Sequence, residues 1–270
     1  ITGNLVELFD RLPRPTAAQQ IEGTKAFFRE LNRLGLTGVV DPGGNNLFPA
    51  DYQALFDVWR AHELTVRLAY TLNGQTAGKE FDELRDLTAL LPMGFGDDRL
   101  RFNGLGERIT LAMNNNPAPN DKDKQAYYEI VRWAAEKGMT ITMHWNTDAT
   151  VDHLLGIFER VNREVPIAPL RWSIAHLNDA TPATLARMKA LGVGWAMQDA
   201  MYFSGEQFVK ERGEREALRW GAREALGSGG KSLSWSQFGR QVRAFARSLD
   251  RLGIAKGDVI AVQLPNSVEF

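Results

Sequence analysis

Cysteine is absent from the 270 residues of the chain. This absence excludes disulfide bonds, a thiolate nucleophile and any metal site built on cysteine. A metal ion bound here would therefore be held by histidine and carboxylate side chains, and the chain has four histidines. The absence of thiols does not indicate whether the protein resides in an oxidising or a reducing compartment, because a chain without cysteine suits both.

An excess of charge of one sign and long apolar runs are lacking as well. The 32 basic and 33 acidic residues leave a net charge of −1, which gives no long-range field to attract nucleic acid or an anionic membrane. No stretch reaches the ~20 apolar residues that a membrane-spanning helix needs. We therefore expect a soluble chain with neither partner, and the cytoplasm is favoured.

The two ends of the chain resemble internal cut points. The first residue is Ile1 rather than methionine, and the chain ends at Phe270 without a helix stop or a polar tail. No signal-peptide pattern opens the sequence. That absence leaves the location of the parent protein undecided, because the segment that would carry a signal is expected to precede Ile1.

Helices and strands alternate along most of the chain. Six times along the chain a stretch that reads as a helix precedes a short predicted strand, and Gly and Pro follow several of these strands. The predicted strands are 36–41, 65–72, 100–103, 139–144, 170–176 and 193–197. This alternation predicts parallel pairing with helical crossovers, as in an α/β barrel or a doubly wound sheet. We expect one curved sheet with helices outside, two units short of a closed barrel.

Two of the predicted strands end in histidine, at His144 and at His176. The carboxyl ends of neighbouring parallel strands meet at one edge, so both imidazoles are expected within reach of one divalent ion. The alternative is that each is a polar strand-end residue satisfied by a hydrogen bond. His62 and His153 lie on or after predicted helices, and we interpret them as structural or solvated.

The segments around these histidines resemble amidohydrolase family 3. The resemblance is carried by His144-Trp-Asn-Thr-Asp148, by Arg171-Trp-Ser-Ile-Ala-His176 and by Gly38-Val-Val-Asp-Pro-Gly-Gly44, within residues 14–209. It implies a TIM-type β/α barrel with one or two divalent metals, commonly zinc, which activate the water that attacks an amide or related bond. On this resemblance, His144 and His176 are metal ligands, and the substrate is a small-molecule amide with a non-peptide carbon–nitrogen bond.

The chain departs from the family pattern at three places. The family's His-x-His pair would precede Ile1, and its proton-accepting aspartate would follow the last predicted strand of the barrel. At the fourth strand of the family a bridging ligand is common; Arg101 cannot fill that role, and Glu107 is the candidate, either as a metal ligand or as a carboxylate near the substrate. No catalytic residue is assigned, and we expect impaired hydrolysis.

Four residues follow the two histidines and are candidates for a substrate pocket. They are Trp145, Asn146, Asn178 and Asp179. Their position after strand ends would turn them toward the same edge of the sheet as the histidines. The alternative is that they serve as loop and helix-cap residues.

The last part of the chain has a different character. A charged stretch, 214–224, and the connector Gly227-Ser-Gly-Gly230 follow Gly213, so we divide the chain into a partial barrel (1–212), a helical and Gly/Ser linker (213–231) and a short α/β segment (232–270). A helix over 236–252 and a strand over 258–264 are predicted there. The run Leu252-Gly-Ile-Ala-Lys-Gly-Asp258, with Leu264-Pro-Asn-Ser267, resembles the start of the AMP-forming acyl-CoA synthetases.

These observations leave two functional hypotheses. The first is a metal-dependent hydrolase of carbon–nitrogen bonds. The second is a non-catalytic fusion remnant or the N-terminal piece of an acyl-CoA synthetase, a ligase whose ATP-binding motifs would follow Phe270. In either case, the unpaired edges of an incomplete sheet predict a protein partner or self-association.

Overall fold

The computed structural model describes residues 13–43, 49–197, 205–213, 224–228 and 231–253. The chain divides into two compact units, Ile1–Gln198 and Asp199–Phe270. The helices of the first unit are α1 (Ala17–Arg33), α2 (Gln53–Arg60), α3 (Glu80–Thr88), α4 (Asp121–Glu136), α5 (Asp152–Glu164) and α6 (Pro182–Leu191). Its strands are β1 (Gly38–Asp41), β2 (Arg67–Leu72), β3 (Leu100–Leu105), β4 (Thr142–Trp145), β5 (Ser173–His176) and β6 (Gly194–Ala196).

The six predicted strands are present and pair in parallel, but they form two sheets. One sheet has the order β1-β2-β3 and the other β4-β5-β6. A parallel bridge between Leu105 and Ile141 joins them. The physical reason for the division lies in Gly104, whose φ of 94° interrupts the extended ladder of β3 where it approaches Thr140. The prediction of one continuous sheet is therefore wrong, because the strands form two sheets joined by a single bridge. The curvature of a barrel stays a prediction.

Local sequence signals explain where the helices begin. Thr16 and Gln19 form a capping box before α1, and the side chains of Asn120 and Thr181 accept backbone N–H groups at the starts of α4 and α6. Gly192, with φ 68°, ends α6 in a left-handed conformation. The sequence predicts these helices over 16–34, 121–137 and 182–191, and the observed bounds agree to within a residue.

Two strands begin three residues later than the sequence predicts. β4 starts at Thr142 rather than Met139, and β5 starts at Ser173 rather than Leu170. Before β5, Ala168–Leu170 form a 3-10 turn that ends at Arg171 with φ 55°. A left-handed residue cannot continue an extended strand, so pairing begins only after it.

One hydrophobic core serves both sheets of the first unit. Among its fully buried residues are Phe102 and Leu105 from β3, Met143 and Trp145 from β4, and Phe158 from α5. The side chains of alternate strand residues thus pack with the apolar faces of the helices, which fixes the strand ends that carry the histidines.

The second unit contains α7 (Gly205–Arg212), β7 (Glu224–Ser228), β8 (Lys231–Ser234) and α8 (Trp235–Arg251). β7 and β8 are antiparallel, and Gly227 and Ser228 pair with Ser232 and Lys231. A flexible connector is therefore the wrong description of Gly227 and Ser228. The helix predicted over 236–252 is confirmed as α8, which begins with a capping box at Ser234.

Two other predictions for this region fall outside the described residues. They are the strand over 258–264 and most of the helical stretch over 214–224, of which Glu224 opens β7. The division of the chain into three segments likewise stays a prediction. None of the helices in the described parts of the chain combines the length and the apolar character that a membrane crossing requires.

Candidate metal centre

Glu107, His144 and His176 converge at the carboxyl ends of β3, β4 and β5. One ligand atom from each of the three lies within 4.8 Å of those of the other two. The ring centroids of the two histidines are 4.2 Å apart. The predicted neighbourhood of His144 and His176 is therefore confirmed, and Glu107 joins them in what we term the His–His–Glu cluster.

Glu107 is the hydrogen-bond centre of the cluster. Its Oε2 lies 2.8 Å from Nδ1 of His144 and 3.2 Å from Nε2 of His176. Burial alone would favour the protonated carboxyl, but the hydrogen bonds from His144 and His176 outweigh it and hold the pKa of Glu107 below its usual value. The carboxylate is therefore ionised at neutral pH and available as a ligand.

The backbone around Glu107 fixes where its side chain points. The Glu107 N–H donates to the carbonyl of Pro42 at 2.8 Å, and the Glu107 carbonyl accepts the N–H of His144 at 3.1 Å. Gly106 makes the first of these contacts feasible, because a Cβ at position 106 would lie 2.2 Å from the Pro42 oxygen. The residue that links β1, β3 and β4 thus also supplies the carboxylate.

The donor set fits a divalent metal ion. Two imidazole nitrogens and one carboxylate oxygen are the ligands that borderline metals such as zinc accept. The three side chains are only 18–21% exposed. Nε2 is the nitrogen of His176 that faces Glu107, whereas Nδ1 is buried without a hydrogen-bond partner among the described residues.

Trp145 does not face a pocket, contrary to the sequence-based expectation. It is fully buried in the hydrophobic core, and its indole N–H donates to Oγ1 of Thr150 at 3.2 Å. The reason is strand alternation: Trp145 follows His144 directly and so points to the opposite face of β4.

The three other pocket candidates lie in the loops that follow β4 and β5. The backbone N–H of Asn178 donates to the carbonyl of Asn146 at 3.1 Å. The Asp179 carboxylate accepts the N–H of Asp148 at 2.6 Å and the hydroxyl of Thr147 at 3.3 Å. These contacts join the two loops, which agrees with the alternative that the three residues serve as loop residues. A role in substrate binding stays a prediction.

Sequence reasoning assigned no role to Asp148, the last residue of the His-x-x-x-Asp pattern. Its Oδ1 accepts the backbone N–H of Thr181 at 3.0 Å, so it links the start of α6 to the loop after β4. The available signal was Thr181-Pro182, a helix-start pattern that places an N–H donor there. His62 and His153 lie outside the cluster.

The comparisons with known proteins agree with this fold. Parallel strands with histidine and carboxylate side chains at their carboxyl ends are a feature that metal-dependent hydrolases share. The model of the amidohydrolase family matches residues 2–227, and the chain belongs to this family.

A solved structure shows the same fold. It is an uncharacterized metal-dependent hydrolase from Pyrococcus horikoshii, with a TM-score of 0.52 and 19% sequence identity, and the match covers 76% of this chain. Only 42% of that protein is spanned. At this identity the likeness supports the fold alone.

Residues 206–270 match a second family, the AMP-binding enzymes. The acetyl-coenzyme A synthetases of Cronobacter sakazakii and Escherichia coli are each 38% identical over 60 residues, which is 22% of this chain and 9% of theirs. Protein Y of Streptomyces griseus is 44% identical over 52 residues, 19% of this chain and 17% of its own length. The chain thus spans less than a fifth of these curated relatives.

Proposed function

We propose that Glu107, His144 and His176 bind one divalent metal, zinc on the chemistry of the donors, in a hydrolase of non-peptide carbon–nitrogen bonds. The observation that carries the proposal is the convergence of two imidazoles and an ionised carboxylate from three successive strands. Membership in the amidohydrolase family supports hydrolysis. We also infer that the six parallel strands belong to a TIM-type barrel, since family membership and the strand order favour it.

The metal ion and the residues of the His–His–Glu cluster would make different contributions to hydrolysis. When bound, a divalent metal polarises a carbonyl oxygen and lowers the pKa of a water molecule. Glu107, His144 and His176 would hold the ion, and in the metal-free chain Oε2 of Glu107 keeps the two imidazoles together. The burial of these side chains limits competition from solvent. The substrate would be a small-molecule amide approaching from the carboxyl ends of the strands.

Hydrolysis by these residues alone is expected to be slow. The cluster contains one carboxylate, and a carboxylate that ligates a metal is a poor general base at the same time. A positioned acid–base group contributes roughly 10²–10⁴-fold in rate. Zinc binding is therefore the more direct test of the proposal than turnover.

The test is a zinc titration of the full chain after treatment with a chelator. We expect saturable binding at one site by calorimetry, weakened at least about 10-fold in His144→Ala, His176→Ala and Glu107→Gln. His153→Ala is the matched control, since His153 lies on α5 outside the cluster, and its affinity should equal that of the wild type. An affinity unchanged in all three cluster variants would refute the assignment of ligands.

A second candidate concerns the last residues of the chain. We propose that the second unit is the start of an AMP-binding domain in a fusion with the amidohydrolase part, supported by the family match over residues 206–270. Adding ATP in the same calorimetric experiment should give no binding heat, because the resemblance in this segment does not include a phosphate-binding loop. Measurable ATP binding would show that the segment does more than begin such a domain.

A further inference from the structure

Strand register alone would not bring the two histidines together. In the β4–β5 pair His144 is the partner of Ala175, and His176 is the partner of Trp145. Partners on parallel strands point to the same face, so a regular strand would place the His176 side chain on the core side with Trp145. Its ring instead lies beside that of His144 and reaches Glu107.

A left-handed turn at the end of β5 accounts for this difference. His176 has φ 70° and Leu177 has φ 42°, and neither is glycine. Two consecutive left-handed residues with large side chains are rare and persist only where their surroundings hold them. The turn redirects the chain at the residue whose imidazole enters the His–His–Glu cluster.

Three groups of contacts hold this turn. The indole N–H of Trp195, on β6, donates to the carbonyl of His176 at 2.9 Å. The N–H of Leu177 donates to the carbonyl of Trp145 at 2.7 Å. Beyond it, the Asp179 carboxylate accepts the N–H of Asp148 at 2.6 Å, which fastens the turn to the loop after β4.

The contact between the two loops is reciprocal. Asp148 donates its N–H to Asp179, while its own carboxylate accepts the N–H of Thr181, two residues further along. Carboxylates that accept backbone N–H groups form stronger hydrogen bonds than neutral acceptors do. The loops that leave the two histidine strands are therefore locked to each other directly beyond the cluster.

We propose that Asp179 and Trp195 are positioning residues for metal binding, holding His176 in the left-handed conformation that turns its imidazole toward Glu107 and His144. This inference rests on the proposed function, because it assigns a role to the surroundings of that same centre. Neither residue touches the metal; each acts through the backbone of His176 or of the loop that follows it.

The test compares Asp179→Ala and Trp195→Phe in the full chain. Trp195→Phe keeps an aromatic ring and removes only the N–H donor. Each change is expected to weaken zinc binding about 10-fold, the low end of the effect of losing a group that orients a ligand. Asp179→Asn keeps one acceptor oxygen for the Asp148 N–H and should fall between Asp179→Ala and the wild type.

The matched control is Asp152→Ala. The Asp152 carboxylate joins α5 and α6, the helices that follow β4 and β5, through a 2.8 Å contact with Arg187, and it lies outside the turn. We expect its zinc affinity to equal that of the wild type even where its thermal midpoint falls as far as that of Asp179→Ala. A purely structural role for Asp179 would instead make zinc affinity follow the thermal midpoint in both variants.

A measurement without metal separates the positioning role of Asp179 and Trp195 from the proposed metal site itself. Amide hydrogen exchange of a peptide covering residues 173–181 should be faster in Asp179→Ala and Trp195→Phe than in the wild type and Asp152→Ala. Wild-type chain that binds no zinc would refute the proposed function and, with it, the role in metal binding. Variants with wild-type zinc affinity and wild-type exchange would overturn the positioning role while leaving the metal centre intact.

Discussion

At the scale of single residues, Gly106 shows how closely the centre is built. A Cβ at this position would lie 2.2 Å from the Pro42 oxygen and 2.5 Å from both Oδ1 of Asn73 and Oγ1 of Thr71. The N–H of Gly106 also donates to the carbonyl of Leu72 at 2.8 Å. A side chain here would displace the backbone that carries Glu107.

We therefore predict that Gly106→Ala destabilises the fold by about 1–3 kcal/mol, the usual range for overpacking, and weakens zinc binding as well. Urea unfolding and zinc calorimetry measure the two effects. Gly156→Ala is the control, since nothing lies within 4 Å of a Cβ at that position on α5. It should raise helix stability by about 0.5–1 kcal/mol. Equal stability of Gly106→Ala and the wild type would contradict the packing argument.

The residue scale is also where sequence-based prediction reaches its limit. The positions of His144 and His176 at the ends of two predicted strands were enough to predict that they lie close together. Glu107, which follows β3, was identified as a candidate ligand. The left-handed turn at His176 leaves no sequence signal, because the residue there is not glycine. Trp145 was misplaced because the predicted strand ended at His144, whereas β4 continues through Trp145, so strand alternation turns this side chain to the opposite face.

At the scale of elements, Glu83 ties α3 to the loop after β2. Its Oε2 accepts the backbone N–H groups of Gln75 at 2.8 Å and Thr76 at 3.0 Å. Partial burial of Glu83 favours protonation, but hydrogen bonds from Thr76 and Gln75 outweigh it and hold its pKa below the ordinary value for glutamate. The folded state therefore prefers the ionised carboxylate.

A group whose pKa is lowered on folding stabilises the fold above its unfolded pKa, and the contribution is lost as the pH falls through its folded pKa. We predict that Glu83→Gln lowers the free energy of unfolding by about 1 kcal/mol at pH 7. The difference in unfolding free energy between Glu83→Gln and the wild type should become smaller in acid, below the pKa of about 4.3 for glutamate in the unfolded chain. Urea unfolding across this pH range measures the gap.

The control for this prediction lies on the same helix. Asp86 is exposed, and within the described residues its carboxylate makes no hydrogen bond to the loop after β2. The stability gap between Asp86→Asn and the wild type should stay small across the range. A gap for Glu83→Gln that is the same at pH 3 and pH 7 would show that the ionised carboxylate is not what holds the loop.

Helix starts were predictable because the residues that cap them act locally. Thr16, Asn120 and Thr181 each satisfy N–H groups within a few residues. Pairing between strands is not local. Gly227 and Ser228 have the composition of a linker, yet they pair with β8, because backbone hydrogen bonds do not depend on side-chain type.

At the scale of the whole molecule, the outer strands of the two sheets matter most. Among the described residues, β1 pairs only with β2, and β6 only with β5. Val40 on β1 is 60% exposed. An unpaired edge with an exposed β-branched residue is a template for pairing with another chain.

We predict that the protein self-associates through this edge and that Val40→Lys reduces the association. The added charge resists burial between two strands. Sedimentation velocity over a concentration series measures the effect. Leu90→Lys is the control, since Leu90 is 86% exposed but follows α3 away from the edges, and its association should match that of the wild type. A concentration-independent wild-type monomer would rule out the edge as an interface.

The bridge between Leu105 and Ile141 has a thermodynamic consequence. Glu107 follows the last strand of one sheet, while His144 and His176 belong to the other, so the three donors straddle the seam. An ion that binds all three binds only when the halves are docked. By binding only the state in which the two sheets are packed together, it would stabilise that state by a free energy of RT ln(1 + [metal]/Kd). Metal supply would then set how cooperatively the two halves unfold.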